Sequence, residues 1–174
     1  MAEKDRVNAL EVALNNELKE RQFYLKHAKR TKHPFGQLMF QRIADEELEH
    51  YERLQELHEK WVKGERWPET VPLEVGGSNV KNILNGIIKK IDETREGDSS
   101  DLKAVRHAID FEAKGSRYYA ELSAMVADSK EKQFFNLLSS IEHEHYLSLK
   151  DTEEYLIDPA SWYRKKEHHS LDGG

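Results

Sequence analysis

The chain has 174 residues and no cysteine. That excludes disulfides, thiolate zinc sites, iron–sulfur clusters and thiol nucleophiles together. Any metal must be held by His, Asp and Glu, a donor set that favours iron, manganese or zinc in oxygen-rich ligation. Long apolar runs are also missing. Nothing approaches the roughly 20 apolar residues that a bilayer crossing needs, and mean hydropathy is −0.86, so no membrane partner is expected. The N-terminal MAEKDRVNAL has no apolar signal-peptide core, which makes a cytoplasmic location the expectation. Positive charge is not in excess. The formal net charge is −6, which argues against nucleic-acid binding, since that needs a basic face. Proline is scarce, and its four occurrences, Pro34, Pro68, Pro72 and Pro159, fall where the helical pattern stops.

What remains is helical periodicity. Leu10, Ala13, Leu14, Tyr24 and Ala28 recur at three- and four-residue steps, and TKHP at 31–34 ends that pattern. A second helix carries Phe40, Ile43, Leu54 and Trp61 on one face, with Gly64 as a C-terminal stop. An irregular stretch follows, ERWPETVPLEVGGS, and Ser78 can then cap a helix of about 79–95. Two more long helices, about 101–125 and 130–156, are separated by VADSK. Asp158-Pro159 can begin a short terminal helix with Trp162 and Tyr163.

An internal repeat organises these elements. Sliding the chain by 95 residues superposes Ala9, Ala13, Glu17, Lys19, Tyr24, Phe40, Glu47, Glu49, His50, Tyr51 and Leu54 on identical residues. Their mates are Ala104, Ala108, Glu112, Lys114, Tyr119, Phe135, Glu142, Glu144, His145, Tyr146 and Leu149. The repeated unit is a helical hairpin, and two hairpins make a four-helix bundle. The expected fold is therefore all-α and a single domain over 1–174. It would have hairpins at 5–62 and 100–157, a long helical crossover at 63–99, and a C-terminal tail at 158–174 with a short helix.

Both hairpins contain Glu-x-x-His, as Glu47 to His50 and Glu142 to His145. Residues i and i+3 share a helix face, so each pair can converge on one ion. Both pairs lie on the apolar stripes, beside Phe40 and Ile43 or Phe135 and Leu138, where a carboxylate is costly unless paired or metal-bound. In SIEHEHYLSL, His143 and Glu144 fall off that face. Glu17 and Glu112 also lie on apolar stripes. Each stands 30 residues before its hairpin's second glutamate, with the turn at the midpoint. Residues equidistant from the turn of an antiparallel hairpin lie at one height. One Glu from each of two helices and a Glu-x-x-His from each of the other two is the arrangement of di-iron and di-manganese carboxylate bundles. Four carboxylates and two neutral imidazoles balance two divalent cations. For both hairpins to turn their ligands inward about a two-fold axis, their turns must lie at opposite ends. The connector must then cross the bundle, and its helix of about 18 residues would cover about 27 Å.

Those motifs, with NNELKERQFY, ADEELEHYERL and DFEAKGSRYY, resemble the ferritin-like superfamily, and the rubrerythrin-type proteins most. The resemblance covers roughly 5–60 and 100–156. It implies a carboxylate-bridged site of two iron ions that reacts with peroxide or oxygen, although manganese or zinc would accept the same donors. Such proteins carry a second carboxylate three residues after the third-helix glutamate. Here Gly115 stands there, and its repeat mate is Glu20. Glu20 is thus a candidate extra ligand; without it the set is closer to that of bacterioferritin. With no cysteine there is no rubredoxin-like domain, so electrons would come from a separate donor such as a rubredoxin-like protein. Tyr24 and Tyr119, two turns beyond Glu17 and Glu112, can hydrogen-bond ligand carboxylates or serve as ordinary core tyrosines. His27, His33, His58 and His107 have no matched partners and receive no role; His168 and His169 belong to a solvated tail; Trp61, Trp67 and Trp162 are packing groups. A homodimer is expected, and the long connector permits hairpin exchange. Two further functions suit the same ligands: a ferroxidase for iron storage or detoxification, and a non-catalytic metal-binding protein.

Overall fold

The computed structural model describes residues 3–63, 78 and 97–171. Among them are five helices and no strand: α1 (Glu3–Arg30), α2 (Pro34–Val62), α3 (Ser99–Met125), α4 (Ser129–Ile157) and α5 (Pro159–Leu171). The expected crossover helix at 79–95, the Gly64 stop, and Trp67 lie outside the described residues, as do the side chains of His168 and His169.

Each boundary has a local cause. Pro34 opens α2, where its missing N–H costs nothing. His33 caps that helix, its Nδ1 accepting from Phe35 N at 3.2 Å. Asp98 caps α3 by accepting from Ser100 N and Asp101 N, both at 2.9 Å. Asp128 caps α4 through Lys130 N at 2.8 Å and Glu131 N at 3.1 Å. Asp158 accepts from Ser161 N at 2.9 Å at the start of α5. Each such cap contributes about 1 kcal/mol.

Helices α1 and α2 pack along each other, as do α3 and α4, and the hairpins meet through α1–α3 and α2–α4. The two turns lie at opposite ends. Near the first turn, Phe35 and Met39 share an apolar cluster with Val105 from the start of α3 and Tyr155 and Leu156 from the end of α4. Backbone N–H groups of Lys32 and His33 donate to the buried Asp101 carboxylate at 3.3 and 3.2 Å. Near the second turn, Leu10, Leu57 and Trp61 pack with Leu122, Val126 and Phe134. Tyr118 Oη donates to Ala9 O there at 2.8 Å. Val62 and Ser99 therefore lie at opposite ends of the bundle, as inward-facing ligands require. At the first-turn end α5 folds onto α4, with Trp162 Nε1 donating to Asp151 Oδ1 at 3.0 Å. The two apolar clusters leave a buried polar layer between them, and the repeated Glu and Glu-x-x-His positions fall in that layer.

Candidate metal centre

Six side chains from four helices fill that layer: Glu17 (α1), Glu47 and His50 (α2), Glu112 (α3), and Glu142 and His145 (α4). All are at most 1% exposed. Their donor atoms form two groups, Glu17–Glu47–His50–Glu142 and Glu47–Glu112–Glu142–His145, each within 4.8 Å across. Glu47 and Glu142 belong to both. His50 Nδ1 stands 3.1 Å from Glu47 Oε2 and 3.4 Å from both Glu17 Oε2 and Glu142 Oε1. His145 Nδ1 stands 3.2 Å from Glu47 Oε1 and 3.5 Å from Glu112 Oε2. The two rings stack at 5.9 Å between centroids. His143 and Glu144, the other half of the Glu-His-Glu-His run, are exposed.

The tyrosines act across the hairpins. Tyr24 of α1 donates to Glu112 Oε1, and Tyr119 of α3 donates to Glu17 Oε1. Each bond leaves the other carboxylate oxygen facing the interior. There, Glu17 Oε2, Glu47 Oε1, Glu112 Oε2, both Glu142 oxygens and His145 Nδ1 make no hydrogen bond.

Protonation follows from crowding like charges in a dry layer. Burial, then Glu47, pushes Glu17 up to about 8. Burial, then Glu47 and Glu112, also raises Glu142. Burial opposes ionisation of Glu47 too, but His50 and His145 outweigh it and hold that carboxylate well below the usual range. For both histidines burial disfavours the imidazolium, yet the surrounding carboxylates win and raise them. Burial, then Glu112 for Tyr24 and Glu17 for Tyr119, raises both phenols and keeps them as donors.

Glu20 is in neither donor group. It lines a cleft of about 370 Å³ between α1 and α3, with Lys19, Phe111, Lys114, Gly115 and Tyr118. Burial, then Glu47 and Glu17, raises its carboxyl, so it feels the site's charge. Gly115 forms part of the cleft wall, and a Cβ placed there would meet Glu142 Oε2 at 2.7 Å. A smaller cavity of about 170 Å³ by the first turn, near His27, Asp101 and His107, is lined by none of the six.

Two groups escaped the pattern of the sequence. Glu46, 7% exposed, accepts from His145 Nε2 at 2.8 Å, and Arg42 Nε pairs with it at 3.0 Å. Its repeat mate is Ile141, so the repeat conceals it. His33, given no role above, is the buried cap of α2. Its cue was its place directly before Pro34.

A four-helix bundle with two Glu-x-x-His pairs and two further glutamates in one buried layer brings together a carboxylate–histidine cluster that could hold metal ions. The rubrerythrin family model matches residues 8–153, a span that contains all six side chains, and the chain belongs to that family. Searches of the curated proteins and of the solved structures returned no match. No helix among the described residues is long and apolar enough to cross a membrane.

Proposed function

We propose that this chain is a di-iron carboxylate oxidoreductase that reduces hydrogen peroxide, or dioxygen, with electrons from a separate protein. The carrying observation is that six buried donors converge in two groups with Glu47 and Glu142 common to both. Glu17 and His50 would hold one ion, Glu112 and His145 the other, and Glu47 and Glu142 would serve both. The donors suit the group. Six of their inward atoms, both Glu142 oxygens and His145 Nδ1 among them, make no hydrogen bond, which is costly in a buried layer unless a cation relieves it. Bound there, a pair of irons supplies electrons and Lewis acidity toward an oxidant.

The protein's own part is positional. Tyr24 and Tyr119 fix one oxygen of Glu112 and of Glu17, so the other stays aimed inward. The apolar clusters above and below keep bulk water from the layer. The cleft at Gly115 and Glu20 is the approach for a small oxidant, and Glu20 is an exchangeable further ligand at its edge. Reducing peroxide to two waters consumes two electrons and two protons. A chain without cysteine takes those electrons from an outside donor of rubredoxin type. A homodimer, with or without hairpin exchange, is compatible with the connector's length.

The test is stopped-flow oxidation of the anaerobic Fe(II) protein by peroxide and by oxygen. Much faster reaction with peroxide supports the proposal. A preference for oxygen with repeated Fe(II) turnover overturns it in favour of a ferroxidase, a function favoured by Glu20 lying outside both donor groups. Metal analysis of the isolated protein decides between iron, manganese and zinc, and absence of bound metal would leave a non-redox role.

A further inference from the structure

The two halves of the centre are related by the repeat, but their surroundings are not. Behind His145 stands a charged pair. Nε2 of His145 lies 2.8 Å from Glu46 Oε2, and Glu46 Oε1 lies 3.0 Å from Arg42 Nε, one helical turn away on α2. The same positions of α4 are Leu137 and Ile141. Ile141 is 2% exposed and part of the apolar core, and its side chain accepts no hydrogen bond. The repeat therefore has a carboxylate behind His145 at a position where the other hairpin carries a hydrocarbon.

We propose that Glu46 is a positioning residue that makes the two metal positions unequal, so that the ion at His145 and Glu112 binds first and more tightly. The chemistry is direct. A carboxylate accepting from Nε2 holds the proton on that nitrogen, so the proton that an ion displaces is the one on Nδ1, the atom that faces Glu47 and Glu112. It also raises the electron density of the ring and so strengthens Nδ1 as a donor. Arg42 keeps Glu46 from turning out to solvent. The matching position of α4 is Ile141, which offers His50 no acceptor; its ring is instead held through Nδ1, 3.1 Å from Glu47 Oε2, a contact that an arriving ion must displace. Carboxylates behind ligating histidines commonly change metal affinity by about 10- to 100-fold. The position at Glu17 and His50 is thus the one that fills last and exchanges its ion most readily.

This rests on the six-donor reading of the centre, and calorimetric titration with Co(II) separates the two. The intact protein is expected to take two equivalents of unequal affinity. Failure to bind any Co(II) would remove the six-donor reading itself. Two equivalents of equal affinity would overturn only the inequality. Glu46→Ala should weaken the tighter equivalent by about 10- to 100-fold and leave the weaker one within about twofold; Glu46→Gln, which keeps an acceptor oxygen, should fall between. In a His50→Ala background one equivalent remains and should respond to Glu46→Ala, whereas in a His145→Ala background the remaining one should not. Equal response in both backgrounds, or none in either, overturns the proposal. Ring-nitrogen NMR of the zinc-loaded protein gives a readout that a merely structural role would not move. His145 should be protonated at Nε2 and metal-bound at Nδ1, with the Nε2 proton shifted in Glu46→Gln. A His145 signal unchanged in that variant counts against Glu46.

Discussion

Tyr24 lies on the first hairpin, yet its hydroxyl donates to Glu112 of the second. Its repeat mate does the reverse, since Tyr119 donates to Glu17. Each hairpin thus orients a carboxylate that belongs to the other, and neither hairpin alone contains a finished half-site. The bonds are made between fully buried groups. Losing one leaves a buried carboxylate oxygen without a partner.

Tyr24→Phe is therefore expected to destabilise the metal-free protein by about 1–3 kcal/mol, the cost of an unpaired buried acceptor. It should weaken the ion held by Glu112 more than the ion held by Glu17, and Tyr119→Phe should do the opposite. Denaturant unfolding and Co(II) titration of both variants check this. Identical effects on both ions would mean that the tyrosines only pack.

Membership of both donor groups makes a second distinction. Glu47→Gln and Glu142→Gln remove a donor common to two ions, so both equivalents should be lost or weakened at least tenfold, about 1.4 kcal/mol each. Glu17→Gln and Glu112→Gln should each affect mainly one. Metal content per chain after dialysis is the measurement. Loss of both equivalents on replacing Glu17 would show that it serves both positions.

The matched heights of Glu17, Glu47 and His50, and of their mates, were legible because a repeat and a turn midpoint constrain helices whatever their packing. The inward turn of Glu142 and His145, with His143 and Glu144 outside, followed from the helix face alone. The tyrosine exchange was not readable in full. Spacing places Tyr24 on the right stripe, but its partner depends on how the hairpins dock, which local pattern does not encode. Glu46 was hidden for a different reason. It sits where the repeat breaks, opposite Ile141, and a charged residue beside a ligand looks like helix surface until the facing helix is in place. His33 is not legible as a cap because it uses a ring nitrogen in place of the usual short hydroxyl or carboxylate.

Acidity should act in opposite directions on the metal-free and loaded forms. Glu17 is raised from 4.5 to about 8, and Glu142, His50 and His145 are also raised. A group raised on folding stabilises the fold fully below its ordinary value, and that contribution disappears as pH climbs through the raised one. Glu47 has the opposite sign, but its window lies below about pH 4.5. The metal-free protein should thus lose thermal stability from about pH 4.5, where the glutamates ionise in the unfolded chain, up through about 8, where Glu17 ionises in the folded one. Metal binding must displace the same protons, so affinity rises over that range and protons are released. Calorimetry with chelator and with Co(II) should show the gap between the two melting temperatures widening with pH. A constant gap would contradict the proton inventory of the layer.

Gly115 offers a test in which two effects have opposite signs. It lies inside α3, where glycine is less favourable than alanine by about 1 kcal/mol. An alanine Cβ would stand 2.7 Å from Glu142 Oε2, too close for contact, so the carboxylate must move. Glu142 is the flexible end of a long side chain, and without metal that movement is cheap. With metal it is not, because Glu142 belongs to both donor groups. Gly115→Ala should therefore leave the metal-free protein as stable as before or up to about 1 kcal/mol more stable, while weakening both Co(II) equivalents at least tenfold. Thermal unfolding in chelator and calorimetric titration measure the two sides separately. If the variant binds both ions with unchanged affinity, the space beside Glu142 is not what the glycine preserves. If the metal-free variant is strongly destabilised, the close approach constrains the backbone of α3 and α4 and not the ligand alone.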